Sequence, residues 1–278
     1  MTLVSVIIPV YNGGTRVRDA VDSVLAQSYS ALEVLLVADG GGDDLSWTNG
    51  LDPRLRVHRQ DNAGVSAARN AGFARTSAPV VAYLDQDDRW LPTKVERQMA
   101  TLPDTAAWST TDFWWCLPGG ERSASKHDAL TRRGLLAGSH FCLSTLLVRR
   151  STLEQVGGFD PSLDMVQDWE LALRLGDAGP AAHCSETLVE YVVHEANGSR
   201  DHRRGYAERS RVLRSAPRNQ DERRAAAQGR RESRRLYGSQ AWSAFAADRR
   251  SGDAARALAW APGTVARGVL AAGRNRLP

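Results

Sequence analysis

Three apolar runs, each ending in a short polar turn, limit most tightly what this chain can fold into. VSVIIPV (4–10), EVLLVAD (33–39) and VVAYLD (80–85) are nearly unbroken apolar segments, as strands are when helices cover both faces of a sheet. Between the first two, Val17, Ala20, Val21, Val24 and Leu25 recur at i, i+3, i+4, i+7 and i+8, the stripe of an amphipathic helix. LRVHRQ reads as a short third strand, and GVSAARNAGFART carries small residues at helical spacing. This β-α-β-α rhythm predicts an α/β fold, a doubly wound, mainly parallel sheet flanked by helices. In such sheets ligands sit beyond the carboxyl ends of the strands. PVYNGG, ADGGGDD and DQDD all fall at such ends, which predicts one shared crevice.

The pattern continues less regularly. A helix is expected after Pro92, with Val95, Met99 and Leu102 on one face. WSTTDFWWCL, FCLSTLLVR and TLVEYVVHE read as strands, and GGERSASKHD as a loop. Ser151 and Glu154 fit a capping box and Gly157 a helix stop. MVQDWELALRL predicts a helix over 165–175. Beyond about residue 203 the composition turns to Arg, Ala and Ser, with helices expected near 203–215, 221–250 and 253–272.

The 278 residues suit one large domain plus an appendage: a body over 1–200, divided near 105 and 106, and a basic helical region over 201–278. The net charge of +4 hides an asymmetry. From Arg200 to the end there are 19 Arg against 7 acids, and the rest carries 17 basic and 25 acidic residues. An acidic body with a basic tail suggests a cation-using core joined to something that meets polyanions. Cys116, Cys142 and Cys184 lie far apart with no CxxC pair. That predicts reduced thiols, no structural zinc and a cytoplasmic protein. The apolar start lacks a basic leader and reads as a strand.

Some residues stand out on their chemistry. Asp85, Asp87 and Asp88 follow a buried strand. Closely placed carboxylates are hard oxygen ligands suited to Mg²⁺ or Mn²⁺, and a simple turn needs one Asp, not three. GGG at 40–42 lacks the GxGxxG pattern opening a helix, so a nicotinamide enzyme is not indicated. Adjacent Trp114 and Trp115 on a strand point to opposite faces, so at least one packs in the core while the other is open to a sugar or aromatic acceptor.

VSVIIPVYN, EVLLVADGGGDD, NAGVSAARNAGFART, LDQDD, GGFDPSLDMVQDWELALRL and YVVHEANGSR occur in this order. Together they resemble the family 2 inverting glycosyltransferases, which have the GT-A fold, over residues 3 to about 200. The resemblance implies a nucleotide-sugar half before residue 105 and an acceptor half after it. It implies that Asp87 binds a divalent metal and that Asp85 touches the ribose or shares it, with Asp88 behind. Pro9 and Tyr11 would line the base pocket, Tyr11 stacking on a pyrimidine, and Arg69 would contact the nucleotide. Asp39 would accept from a pyrimidine imide N–H, although Ala38 stands where the family usually has a first acid. Asp168 matches the general base, with Gln167 in place of the usual Glu and Glu170 as fallback. The same first-turn Asp also complements a helix dipole, which lowers its pKa. His194 corresponds to a residue that completes the metal shell in some relatives, and a solvent-facing His after an edge strand is the plain alternative.

The expected activity is inverting transfer of a sugar from a nucleotide diphosphate sugar, UDP- or dTDP-type favoured, to an acceptor hydroxyl on a glycan, lipid-linked sugar or natural product. The alternatives are a non-catalytic nucleotide-sugar binder on the same fold and a sugar nucleotidyltransferase. No motif supports nucleic-acid binding. The basic tail reads as a solvated appendage or dimer contact, or as a peripheral contact with the inner face of a membrane through Trp242 and Trp260.

Overall fold

A computed structural model describes residues 1–126, 130–138, 141–194 and 201–248, with the side chains of 202 and 240–248 excepted. The helix expected over 253–272, Trp260, the Trp242 side chain and the end of the YVVHEANGSR segment lie outside the described residues. The chain divides into two compact units, one of Met1–Arg132 and His140–Glu195, the other of Arg133–Ser139 and Ala196–Pro278.

The first unit is built on a nine-stranded sheet in the order β3-β2-β1-β4-β8-β6-β9-β5, with β7 paired to β6. Its first half comprises β1 (Val4–Val10), β2 (Leu32–Asp39), β3 (Leu55–Gln60) and β4 (Val80–Tyr83), all parallel. Every residue of β1 is buried, which is why this strand shows no polar alternation. Pro9 is tolerated there because the ladder to β4 has already ended at Ile7↔Tyr83, where its missing N–H leaves no gap. The second half mixes directions. β8 (Leu147–Arg149) runs antiparallel to both β4 and β6 (Trp108–Cys116), while β9 (Ala181–Val192) runs parallel to β6. β5 (Arg89–Trp90) edges β9, and β7 (Arg122–Ser125) closes a hairpin on β6.

Helices α1 (Arg16–Leu25), α2 (Val65–Ala74), α3 (Lys94–Ala100), α5 (Arg150–Val156) and α6 (Gln167–Ala178) belong to this unit. The apolar stripe of α1, Val17, Ala20, Val21 and Val24, is buried as the spacing predicts. α2 sits close on β1 and β2 because Gly72 has no side chain: a Cβ there would stand 2.5 Å from Ile7 Cγ2. The second unit contains α4 (Arg132–Ala137) from residue 133 onward, α7 (His202–Ser215) and α8 (Gln220–Asp248). Within it, Gly229 lets α8 approach the Leu136 carbonyl where any Cβ would collide.

Two local expectations are corrected. The GGERSASKHD loop contains β7, whose polar residues suit an exposed edge of the β6 hairpin. The capping box at Ser151 does not form. α5 starts two residues earlier than that box requires, with Arg149 at the cap position and no side-chain cap bond. β8 runs straight into the helix, and Arg149 and Arg150 instead anchor the junction on the carbonyls of Ala106 and Ala78. The Gly157 stop is present, in the left-handed region at φ 79.

One buried group is unusual. Lys94 is 0% exposed, its Nζ lies 3.9 Å from the centre of the Trp90 ring, and no hydrogen-bond partner meets it. Burial drives its pKa down to about 7, against about 10.4 in an unfolded chain. The unfolded state therefore holds the extra proton between those values, and stability rises with pH through that window. The penalty is fully present below pH 7, about 4–5 kcal/mol by linkage before the Trp90 contact offsets part of it. Lys94→Met should raise unfolding stability at pH 7 by a few kcal/mol and by much less at pH 10. Urea denaturation at both pH values checks this, and an equal effect at the two would contradict it.

Candidate active site at the carboxyl ends of β1, β2 and β4

The three polar segments expected to share a crevice are tied together by their own side chains. The Gln86 amide bonds the backbone of Tyr11 twice, accepting from its N–H at 2.9 Å and donating to its carbonyl at 3.1 Å. Asn12, held at φ 49, accepts the Gly42 N–H through Oδ1 at 3.1 Å. Asp43 Oδ1 accepts the Gly14 N–H at 2.9 Å. The loops after β1, β2 and β4 thus form one rim, with the Tyr11 ring left 50% exposed on it. Gln86, Asn12 and Asp43 carry this assembly, and only their position in loops hinted at it in the sequence.

Asp39, at the end of β2, is almost fully buried. Its Oδ1 accepts from Gln60 Nε2 at 2.7 Å and from the Ala63 N–H at 2.9 Å, and its Oδ2 from the Gly64 N–H at 2.9 Å. It therefore fastens the turn that opens α2. From α2, Arg69 reaches Asp85 with Nη2 at 2.5 Å, and its guanidinium lies 5.2 Å from the Phe159 ring centre. Its Nε and Nη1 are buried without partners. With no accessible surface, these N–H groups meet a further acceptor oxygen only if neighbouring groups shift.

The carboxylates after β4 have separate partners. Asp87 Oδ2 lies 2.7 Å from His194 Nε2, which brings together residues 107 positions apart. Burial, then the charge of Asp85, push the Asp87 carboxyl up, and the His194 bond pulls it back in part. Asp88 is buried and accepts from Ser144 Oγ at 2.6 Å and from the Val192 N–H at 3.1 Å. Burial and the neighbouring Asp85 and Asp87 push it well above the usual carboxylate range. Ser144 also accepts the Asp85 N–H at 3.2 Å.

Among the described residues no three His, Cys, Asp or Glu side chains converge at metal-ligand spacing. Asp87 and His194 nonetheless offer a carboxylate oxygen and an imidazole nitrogen side by side, a donor pair compatible with Mn²⁺. The crowding of Asp87 by Asp85 is a repulsion that a divalent cation would relieve. The residues present fit a metal whose remaining ligands are waters and ligand oxygens, as hard cations commonly have.

Asp168 stands in the first turn of α6, half-buried, with Oδ1 accepting the Trp169 N–H at 2.6 Å. Burial, then Asp88, Asp85 and, more weakly, Asp168 push the Cys142 thiol up. That one thiol therefore lies within electrostatic reach of all three carboxylates. The fallback base, Glu170, is occupied: Arg174 binds both its oxygens, at 2.8 and 2.6 Å, and holds the carbonyls of Val156 and Gly158 as well. Gln167 is buried and its Oε1 has no partner. Trp115 packs against Phe113 and Tyr191, ring centres 5.1 and 4.9 Å away, while Trp114 is half-buried. His183, unremarkable in the sequence, bonds Asp112 at 3.0 Å and Thr110 at 3.2 Å across β6 and β9. No described helix is long and apolar enough to cross a membrane.

Residues 5–156 match the family model described as Glycosyl transferase family 2. A candidate teichuronic acid biosynthesis glycosyltransferase, TuaG of Bacillus subtilis, is 32% identical over 200 residues, 68% of this chain and 78% of that protein. The glycosyltransferase YibD of Escherichia coli is 29% identical over 225 residues, 72% of this chain and 64% of its own. The match to glycosyltransferases of Rickettsia felis and Rickettsia typhi spans 35% and 65% of their lengths. Among solved structures, TarS of S. aureus in complex with UDP-GlcNAc aligns with TM-score 0.67 at 14% identity, over 92% of this chain and 78% of that one. The mannosyltransferase PcManGT of Pyrobaculum calidifontis, in complex with GDP-Man and Mn²⁺, aligns with TM-score 0.66 at 16% identity, over 99% and 80%. These two show the GT-A-type fold.

Ser144 is the support on which Asp85 and Asp88 both depend. Ser144→Ala removes one donor to a buried carboxylate and one acceptor from a backbone N–H. Such losses cost about 1–3 kcal/mol, so thermal unfolding should fall by several degrees. An unchanged melting temperature would show that Ser144 carries no such load.

Proposed function

The chain belongs to glycosyl transferase family 2, and on that premise we propose that it moves a sugar, with inversion, from a nucleoside-diphosphate sugar to an acceptor hydroxyl. The observation that carries this reading is the pairing of Asp87 with His194 beside Asp85 and Arg69, all at the strand ends where a ligand of this fold binds. Mn²⁺ or Mg²⁺ on Asp87 and His194, with Asp85 alongside, would supply positive charge to the leaving diphosphate. The Arg69 guanidinium, held by Asp85, would lend positive charge to the bound nucleotide from behind that carboxylate. Asp168 would take the proton from the acceptor hydroxyl as it attacks the anomeric carbon opposite the departing diphosphate. Glu170, committed to Arg174, is poorly placed to share that task.

The base preference follows from a count of acceptor sites. A carboxylate offers about four lone-pair positions, and three donors already occupy Asp39. One position remains, on Oδ2, enough for the single imide N–H of uracil or thymine. Guanine presents two adjacent donors and would need both oxygens. Tyr11, its backbone clamped by Gln86 and its ring half exposed, would stack on the base above Pro9. A UDP- or dTDP-sugar is therefore favoured, although PcManGT was captured with GDP-Man. The acceptor is a hydroxyl on a glycan, a lipid-linked sugar or a natural product.

A thermal-shift panel of UDP-, dTDP- and GDP-sugars with and without Mn²⁺ tests the donor side. Uridine or thymidine donors should stabilise the protein in the presence of the metal and guanosine donors should not. Asp168→Asn should lower turnover by about 10²–10⁴-fold while leaving the donor-induced shift in place. Asp87→Ala should lose transfer together with the metal-dependent part of that shift. Near-normal turnover of Asp168→Asn would remove it as the base. Donor binding without any hydrolysis or transfer by the wild type would favour a pure binding protein.

A further inference from the structure

α8 packs with one face and presents arginines with the other. Ala225, Ala226, Gly229, Ser233 and Tyr237 are buried, and Tyr237 stacks edgewise on Tyr206 of α7, ring centres 6.1 Å apart. At about 100° per residue, Arg224, Arg231 and Arg235 fall on one line directly opposite that packed face. Arg223, Arg230 and Arg234 fall on a second line beside it. Arg230 is half-buried and donates to the Leu213 carbonyl at 3.2 Å, while the other five are exposed. Between residues 223 and 235 this arc carries no acid, since Glu232 lies on its flank. The two acidic contacts, Asp221–Arg224 at 3.5 Å and Glu232–Arg235 at 3.1 Å, are loose pairs among well-exposed side chains, of the kind that contributes little. Arg223 and Arg231 have no acidic partner among the described residues.

We propose that this arginine face of α8 is a docking surface for an anionic lipid bilayer. Five exposed guanidinium groups along about 18 Å of helix can meet a plane of phosphate headgroups together, and guanidinium geometry suits phosphate oxygens. A plane is the better complement than a nucleic-acid strand. The described face carries no exposed aromatic ring on which a base could stack. The arc has no apolar seam, so the helix lies on the headgroups without entering the bilayer, and attachment weakens with salt. The inference stands on α8 alone and is independent of the proposed reaction.

Co-sedimentation of the full chain with phosphatidylglycerol/phosphatidylcholine vesicles and with pure phosphatidylcholine vesicles tests it. The wild type should pellet with the first, not with the second, and be released by high salt. Each guanidinium near an anionic surface strengthens binding about fivefold. The triple variant Arg224→Gln, Arg231→Gln, Arg235→Gln should therefore bind about 100-fold more weakly, with an unchanged circular dichroism spectrum. A charge-matched control, Arg56→Gln, Arg75→Gln, Arg97→Gln in the first unit, should bind like the wild type. Equal binding by the α8 variant, equal loss in the control, or no binding of the wild type would overturn the proposal. So would a loss in the α8 variant confined to binding of a single-stranded oligonucleotide.

Discussion

The crowding of three carboxylates behind β4 is the constraint around which the first unit is arranged. Asp85, Asp87 and Asp88 lie within four residues, two of them largely buried; Asp85 raises the proton affinity of both others, and Asp87 that of Asp88. The fold brings each its own partner: Arg69 from α2, 16 residues before Asp85, His194 from beyond β9, and Ser144 from the turn ahead of β8 together with Val192 of β9. The order of the mixed half of the sheet makes these meetings possible. β8 must lie beside β4, and β9 near β6, for Ser144 and His194 to arrive on the same carboxylate cluster. Burial makes each of these bonds matter more than its length suggests, because an unpaired acceptor there has no water to turn to.

A second layer of the design separates holding from reacting. Gln86, Asn12 and Asp43 join loops to loops. Asp39 joins β2 to the start of α2, and Asn70 joins α2 to the chain around Phe159 by a reciprocal amide bond, 2.9 Å in each direction. These residues place Tyr11, Arg69 and the α6 entrance relative to one another before any ligand is present. Groups so fixed lose little freedom on binding, which is where ordered sites gain affinity.

The parallel half of the sheet was legible because burial on both faces writes itself as unbroken apolar runs, and its helices because their stripes repeat every three to four residues. The candidate site was legible as types and positions: Asp85, Asp87, Asp168 and His194 could be named from their motifs. Their direct bonds could not. The family resemblance put His194 in one metal shell with Asp87, but no local pattern shows the hydrogen bond between them, and Arg69 looks like any helix arginine until the structure buries it beside Asp85. Local polar segments misled in a consistent way. The residues of β7 are polar because that strand is an exposed edge, and Ser151 looks like a cap because the upstream strand that displaces it is 3 residues long. Asp112 and His183 are separated by 71 residues, and neither has a local pattern that marks it.

Lys94 has a consequence outside the reaction. Its amine is largely neutral in the folded protein above pH 7 and protonated in the unfolded chain, so unfolding in mildly alkaline solution draws a proton from the buffer at this one side chain. The heat of unfolding then includes the ionisation heat of whatever buffer gives up that proton. Calorimetry in phosphate and in Tris would report different enthalpies for the same molecular event. The difference between them counts protons directly, which makes a lysine beneath a tryptophan ring an internal meter of the protein's own unfolding.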